Sequence, residues 1–235
     1  MGSSVSLETF AGICLELQTA GAANINLVTG THFIPSIMAG LHMARDKGLV
    51  LPVLWNTSGF ESKSGLLLLD RFVDVFLPDL KTVSEEVSRR IFHCAGYADA
   101  ACRAVLKMAE NRPLEWNGNQ LVRGVIVRHL VLPGEIESTR QTLSWYAENL
   151  KETTLLSLMF QYTPLKKRPD IPQRMVDIKE YEEVLSVMED LGINDGFVQA
   201  LEEETEWFPD FRRENPFPSD LSKVVWHHQK GFVRR

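Results

Sequence analysis

Five apolar, strand-like runs in this chain each give way to a polar cluster at or near their C-terminal end. The first three are Ile25-Asn26-Leu27-Val28 before Thr29-Gly30-Thr31-His32, Leu51-Pro52-Val53-Leu54-Trp55 before Asn56-Thr57-Ser58-Gly59, and Val73-Asp74-Val75-Phe76-Leu77 before Pro78-Asp79-Leu80-Lys81. The last two are Gly124-Val125-Ile126-Val127 before Arg128-His129, and Leu155-Leu156-Ser157-Leu158-Met159-Phe160 before Gln161-Tyr162. A helical stretch follows each run. Strict alternation of strand and helix favours a parallel sheet, and right-handed crossovers put all strand C-termini on one side. In a β/α barrel that rim carries the active site. A doubly wound sheet shares the same element order.

The helices carry their own punctuation. Ser6 precedes Leu7, Phe10, Cys14 and Leu17 at i+3/i+4 spacing, and Gly21 follows as a stop, so the chain opens on a helix. Pro35 stands where an N1 proline belongs, Ile37, Leu41 and Ala44 form a stripe, and Gly48 ends it. Thr82-x-x-Glu85 has capping-box form and predicts a helical region to about Asn111, broken near Gly96. Thr142 to Leu150 and Lys179 to Leu191 complete the set. Beyond Gly196 the pattern dissolves into Glu202-Glu203-Glu204, Trp207-Phe208-Pro209 and Asn215-Pro216-Phe217-Pro218. Residues 1–195 therefore read as one α/β unit, and 196–235 as an extension packed on it with Trp207, Phe208 and Trp226 as anchors.

At 235 residues the chain can bury one substantial core. Its net charge of -6 argues against a broad nucleic-acid-binding surface. Cys14, Cys94 and Cys102 form neither a disulfide framework nor a strong metal-binding spacing, and they suit a reducing cytoplasm. No apolar run reaches the roughly 18 residues of a membrane span, and the N-terminus has no secretory-signal pattern. The Met1-Gly2 to Ser6 stretch has the outline of a myristoylation signal, but Ser6 is better read as the first helix cap.

Several polar groups can carry chemistry. Asp79 and Lys81 share one face of an extended segment and can bind a carboxylate, a cation or a polar cofactor. Lys81 can alternatively serve as a Schiff-base nucleophile, or the two can form a plain strand-end ion pair. Asn56-Thr57-Ser58-Gly59 offers amide and hydroxyl groups at a turn, as a ligand site or as a helix cap. Arg128 interrupts an apolar strand, so it must be paired or hydrogen-bonded, and it suits a carboxylate ligand. His129 alternates to the helix side. His32 reads as a ligand, a proton donor or a structural residue. His227-His228 and Glu202 to Glu206 read as surface, and Cys94 and Cys102 as packing residues.

Taken together, these segments resemble the radical S-adenosylmethionine superfamily, in the branch of the pyruvate formate-lyase activating enzymes. The resemblance rests on Asn24 to His32, Leu54 to Ser62, Val73 to Lys81, Arg128 to Gly134 and Met159 to Tyr162, in the expected order across most of residues 7–200. It implies an incomplete (β/α)6 TIM-like barrel of parallel strands, with S-adenosylmethionine held across the strand C-termini. It also implies a [4Fe-4S] cluster on a Cys-x3-Cys-x2-Cys segment after the first strand. One electron, from a donor such as flavodoxin or ferredoxin, then cleaves the sulfonium to a 5′-deoxyadenosyl radical, which abstracts hydrogen from a glycyl-radical protein or another substrate.

Carried onto this sequence, the resemblance assigns Thr29, Gly30, Thr31 and His32 to the turn at the methionyl amino group, in departure from the family's Gly-Gly-Glu. Asn56 and Thr57 match the next turn, Asp79 and Lys81 the Asp-x-Lys beside the cofactor carboxylate, and Arg128 a basic residue on the following strand. Gln161 or Tyr162 falls where the last strand meets adenine or a partner. The sequence contains no Cys-x3-Cys-x2-Cys, and no strand precedes Ser6. The expectation is an N-terminally truncated, inactive form with its first strand and cluster ligands missing. The alternatives are an aldolase-like barrel using Lys81 and a non-catalytic barrel that binds a nucleotide or a partner.

Overall fold

A computed structural model of the chain describes residues 4–110, 112–164, 169–201, 215 and 224–233. Helix α1 (Leu7–Thr19) starts where Ser6 accepts the Thr9 N–H, satisfying one of the donors a helix N-terminus leaves open. After β1 (Ile25–Val28), a single 3-10 turn (Thr31–Phe33) leads into α2 (Ile34–Asp46), where Pro35 sits in the first turn. There the missing proline N–H costs nothing. Next come β2 (Val53–Thr57), α3 (Lys63–Leu69) with Ser62 as its cap, and β3 (Val75–Pro78).

Helices α4 (Glu85–Arg90) and α5 (Tyr97–Ala109) flank the expected break, which Gly96 makes with φ +75°. The cap of α4 is Ser84, not Thr82. Thr82 instead accepts the Ser84 N–H and bonds Ser138, while Glu85 reaches forward to the Gly96 N–H, so no reciprocal capping box closes. The remaining regular elements are β4 (Glu115–Asn117), β5 (Gln120–Leu130), α6 (Ile136–Asn149), β6 (Leu155–Met159), α7 (Ile178–Asp190), β7 (Gly196–Val198) and a short hairpin, β8 (Trp226–His227) with β9 (Gly231–Phe232).

The main sheet runs β1-β2-β3-β5-β6-β7 with every neighbour parallel, and β4 is added to β5 as an antiparallel hairpin. The edges β1 and β7 are not paired with each other, so the barrel is open and incomplete. Six parallel strands stand where five runs were legible. The sixth, β7, is only Gly-Phe-Val and lies in the stretch assigned to the extension. It is held tightly, since a Cβ on Gly196 would sit 2.1 Å from the Leu156 carbonyl oxygen.

Register separates the two faces of the sheet. Leu27, Trp55, Phe76 and Val125 lie in one row, and Val127 with Leu156, and His129 with Leu158, continue that face. These residues from Trp55 onward are buried under the helices. The opposite face carries Val28, Asn56 and Leu77 in one row, then Arg128, Ser157 and Phe197. It is open toward the edge strands, where Val28 is 62% and Phe197 54% exposed, while Leu77 on the central β3 is only 9% exposed. The open face, at its C-terminal rim, is where side chains from distant segments meet.

The C-terminal hairpin lies against α1, because a Cβ on Gly12 would meet the Phe232 ring at 3.0 Å. Trp226 is half-buried in β8. Trp207, Phe208 and Glu202 to Glu206 lie outside the described residues. No helix among the described residues is long and apolar enough to cross a membrane.

Candidate ligand site at the strand C-termini

Asp79 and Lys81 follow β3 directly, and Arg128 lies near the end of β5. A parallel bridge joins Asp79 to Arg128, and the Leu80 N–H donates to the Arg128 carbonyl at 2.8 Å, so the two strand ends are locked side by side. Arg128 Nε donates to Asp79 Oδ1 at 2.9 Å and its Nη2 donates to the same oxygen. Lys81 Nζ donates to Asp79 Oδ2 at 2.9 Å. One carboxylate thus holds two cations, leaving a local charge of +1 in a chain of net charge -6. The side chains remain 35% (Lys81), 20% (Asp79) and 26% (Arg128) exposed, so both cations keep donors available to a bound anion.

Behind this cluster lies Tyr97, at the N-terminus of α5 and 4% exposed. Its hydroxyl donates toward the Ser58 and Asp79 carbonyls at 2.9 Å each and accepts the Lys81 N–H at 3.1 Å. Burial pushes its phenol far above the ordinary tyrosine range. The ring is flanked by Phe60 and Phe92. Gly59 passes so close that a Cβ there would lie 2.5 Å from the Asp79 carbonyl oxygen, at a φ of +76° that glycine adopts freely.

A second node joins the ends of β1 and β2. Glu61 is 7% exposed, and its Oε1 accepts from Thr31 Oγ1 at 2.8 Å, from Trp55 Nε1 at 3.3 Å and from Thr57 Oγ1. Its Oε2 is buried with no hydrogen-bond partner among the described residues. The turn it holds is unusual: Thr29 has φ +57°, a left-handed conformation that strains a β-branched residue by roughly 1–2 kcal/mol. Gly30 presses on the Trp55 ring, where a Cβ would come within 2.6 Å.

The residues singled out in the sequence thus divide. Asp79, Lys81 and Arg128 come together. Asn56 shares the open face, and its backbone carbonyl accepts the Thr29 N–H at 2.9 Å. Thr29 and His32 are exposed at the adjacent turn, with Gly30 buried beneath them. Thr57 turns to the helix side, where it donates to Glu61 and accepts the Gly59 N–H. Gln161 continues the open-face alternation of Ser157 and Met159 and is half-buried. Tyr162 packs on Val87, Ile91 and Leu132, with its hydroxyl donated to the Pro172 carbonyl at 2.9 Å. His129 faces the helices as expected. Its Nδ1 must carry the proton, because it meets the Leu80 carbonyl at 2.8 Å, and Nε2 then accepts from Thr139 at 3.1 Å.

Glu61 and Tyr97 are the two residues that sequence reasoning passed over. Glu61 had a signal, as the one charged residue in the stretch 51–62. Tyr97 had none beyond its place after Gly96.

The cysteine set does not fit an iron–sulfur cluster. Cys14 is buried on α1, while Cys94 and Cys102 lie on either side of the start of α5. Among the described residues no group of three His, Cys, Asp or Glu side chains could hold a metal ion. Burial raises the Cys14 and Cys102 thiols to about 11, the reverse of what a thiolate ligand needs.

No protein-family model matches the chain. An uncharacterized protein of Methanocaldococcus jannaschii is 31% identical over 172 residues, which are 71% of this chain and 45% of that protein. The chain therefore spans less than half the length of this curated relative. Among solved structures, a domain of the pyruvate-formate lyase-activating enzyme from Bacteroides vulgatus superposes with a TM-score of 0.54 at 11% identity, over 76% of this chain and all of that domain. SuiB of Streptococcus suis bound to S-adenosylmethionine gives a TM-score of 0.61 at 12% identity, over 85% of this chain and 45% of SuiB. These likenesses establish the fold, an open and mostly parallel α/β barrel. The chain has the partial-barrel fold of the radical S-adenosylmethionine enzymes, as the sequence resemblance implied.

Proposed function

We propose that this chain is the S-adenosylmethionine-binding portion of a radical S-adenosylmethionine protein of activase type, with the ligand on the open face at the strand C-termini. The observation that carries this reading is the Asp79–Lys81–Arg128 cluster, a partly exposed group of charge +1 on a shared rim. A methionyl carboxylate fits it, since Lys81 and Arg128 each retain donors after Asp79 is satisfied, and Arg128 can offer two parallel bonds. Asn56, the Thr29–His32 turn and Gln161 border the same face and would meet the amino group and the nucleoside. Tyr162 would contribute from the side, through the loop its hydroxyl pins.

In that family a [4Fe-4S] cluster supplies the electron that cleaves the sulfonium. The three cysteines here do not suit a cluster, so no cleavage step is assigned to this chain's own residues. A glycyl-radical or other protein substrate, a flavodoxin- or ferredoxin-type electron donor and a cytoplasmic setting belong to the lineage part of the proposal. The Schiff-base alternative finds little support in the geometry, because Lys81 Nζ is committed to Asp79 at 2.9 Å rather than enclosed in an apolar pocket.

Titration calorimetry with S-adenosylmethionine tests the reading. The wild-type chain should bind, and Arg128→Ala should weaken binding roughly 10- to 100-fold, as removal of a charged hydrogen-bond partner does. Absence of binding by the wild type, or affinity unchanged in Arg128→Ala, would remove its basis.

A further inference from the structure

We infer that Glu61 is a positioning residue for this ligand rim: it clamps the Thr29–His32 turn to the end of β2 and, through Thr57 and Gly59, sets that turn in register with Asp79. The inference rests on the binding site proposed above and adds to it a residue that does not itself face the ligand.

Three donors from two segments converge on one oxygen. Thr31 comes from the turn after β1, Trp55 from the middle of β2 and Thr57 from its end. Trp55 acts twice, donating to Glu61 at 3.3 Å while its ring forms the wall against which Gly30 is pressed. The Thr57 hydroxyl passes the link on by accepting the Gly59 N–H at 3.2 Å, and Gly59 runs along the Asp79 backbone. Tyr97 then ties Ser58 and Asp79 together. A continuous set of contacts therefore runs behind the rim from the end of β1 to the end of β3, with the carboxylate at its head.

A merely structural role would not call for this residue type. A carboxylate on a residue only 7% exposed, with three donors gathered on one oxygen, carries a desolvation cost that an apolar side chain of similar size would not. Geometry is what the carboxylate adds. Thr29 is held at φ +57°, a conformation that persists only where the surroundings over-determine it. The bond from Thr31 and the wedge of Trp55 against Gly30 supply that constraint, two residues along the chain from Thr29 at most.

The test combines calorimetry with S-adenosylmethionine and amide hydrogen exchange of the ligand-free protein, on Glu61→Gln, Glu61→Leu and Thr31→Val. Glu61→Gln keeps the acceptor oxygen and should bind within about threefold of wild type, whereas Glu61→Leu should lose at least tenfold. Thr31→Val deletes only the turn's own bond, so it stays informative if Glu61→Leu fails to fold. It should reproduce the tenfold loss with little change in thermal midpoint, and amides 29–33 should exchange faster while 53–57 do not. Wild-type binding with unchanged affinity in Thr31→Val overturns the inference, as does a Glu61→Gln variant as weak as Glu61→Leu. No binding by the wild type is a different result: it removes the proposed function and this inference with it.

Discussion

Replacing Tyr97 by phenylalanine isolates what one hydroxyl does at this rim. The ring is 4% exposed and packs between Phe60 and Phe92, with centroids 6.0 and 6.2 Å away, and Phe preserves all of that. Only the oxygen leaves. It now sits 2.9 Å from two carbonyl oxygens and 3.1 Å from the Lys81 nitrogen. One hydroxyl has a single proton, so the carbonyls share it, and the group contributes one full donor and one full acceptor. Removing it strands the Lys81 N–H in a half-buried setting and leaves both carbonyls under-satisfied. At about 1–3 kcal/mol per stranded buried group, discounted because the region is not fully dry, Tyr97→Phe should lose roughly 2 kcal/mol.

Urea unfolding reads this directly, with an unchanged slope expected because no surface is gained or lost. Alkaline titration gives an independent check. The folded-state phenol stays protonated above the ordinary range near 10, so the native state binds more protons than the unfolded state there. Its stabilising contribution is complete below pH 10 and declines above it, and the phenylalanine variant should lose that part of the decline. A loss under about 0.5 kcal/mol, with an unaltered alkaline limb, would mean that water already serves these groups and the hydroxyl organises nothing.

Other expectations follow from single residues. Gly30→Ala is a steric probe, because Gly30 has φ -79° and ψ -1°, which alanine adopts without strain, yet its Cβ would meet Trp55 at 2.6 Å and Ile37 at 2.8 Å. Overpacking should cost about 1–3 kcal/mol in urea unfolding, and a neutral result would show that Trp55 moves freely. His129 is buried neutral, its charged form disfavoured by desolvation, so stability should be retained above about pH 6.5 and lost as pH falls below it, a decline that His129→Gln should blunt. At the other limit, the Cys14 thiol, raised from 9.0 to about 11, should add a loss of roughly 3 kcal/mol between those values, absent in Cys14→Ala. Anaerobic reconstitution of this chain with iron and sulfide should yield no stoichiometric [4Fe-4S] spectrum, and a cluster at one per chain would contradict the donor-set reasoning.

Much of the architecture was legible in the chain because it is encoded locally. Ser6, Pro35, Gly48 and Gly96 mark helix limits through backbone rules that need no partner, and the expected limits of α1, α2 and α7 match within a residue or two. Where local signals were weak, boundaries moved. Helix α6 begins at Ile136 rather than Thr142, since Glu135 makes no side-chain cap that a reader of sequence could find. The β4–β5 hairpin was missed although Gly118-Asn119 is a turn signature, with Gly118 at φ +60° in the first turn position that glycine favours. Strand β7 is too short to carry a period at all.

The sequence by itself determined the order of strands and helices, the rim on which polar residues collect, and the need of Arg128 for a partner, since a charge within an apolar strand cannot be left alone. Only the tertiary structure decided who meets whom. Arg128 finds Asp79 across 49 residues of chain, and Thr31 finds Glu61 across 30. Parallel strands have no short connection, so their register fixes contacts that no local pattern records. The same register turned Thr57 away from the open face while it brought Asp79, Lys81 and Arg128 together on the rim. Pattern specified the elements, and packing chose the partners.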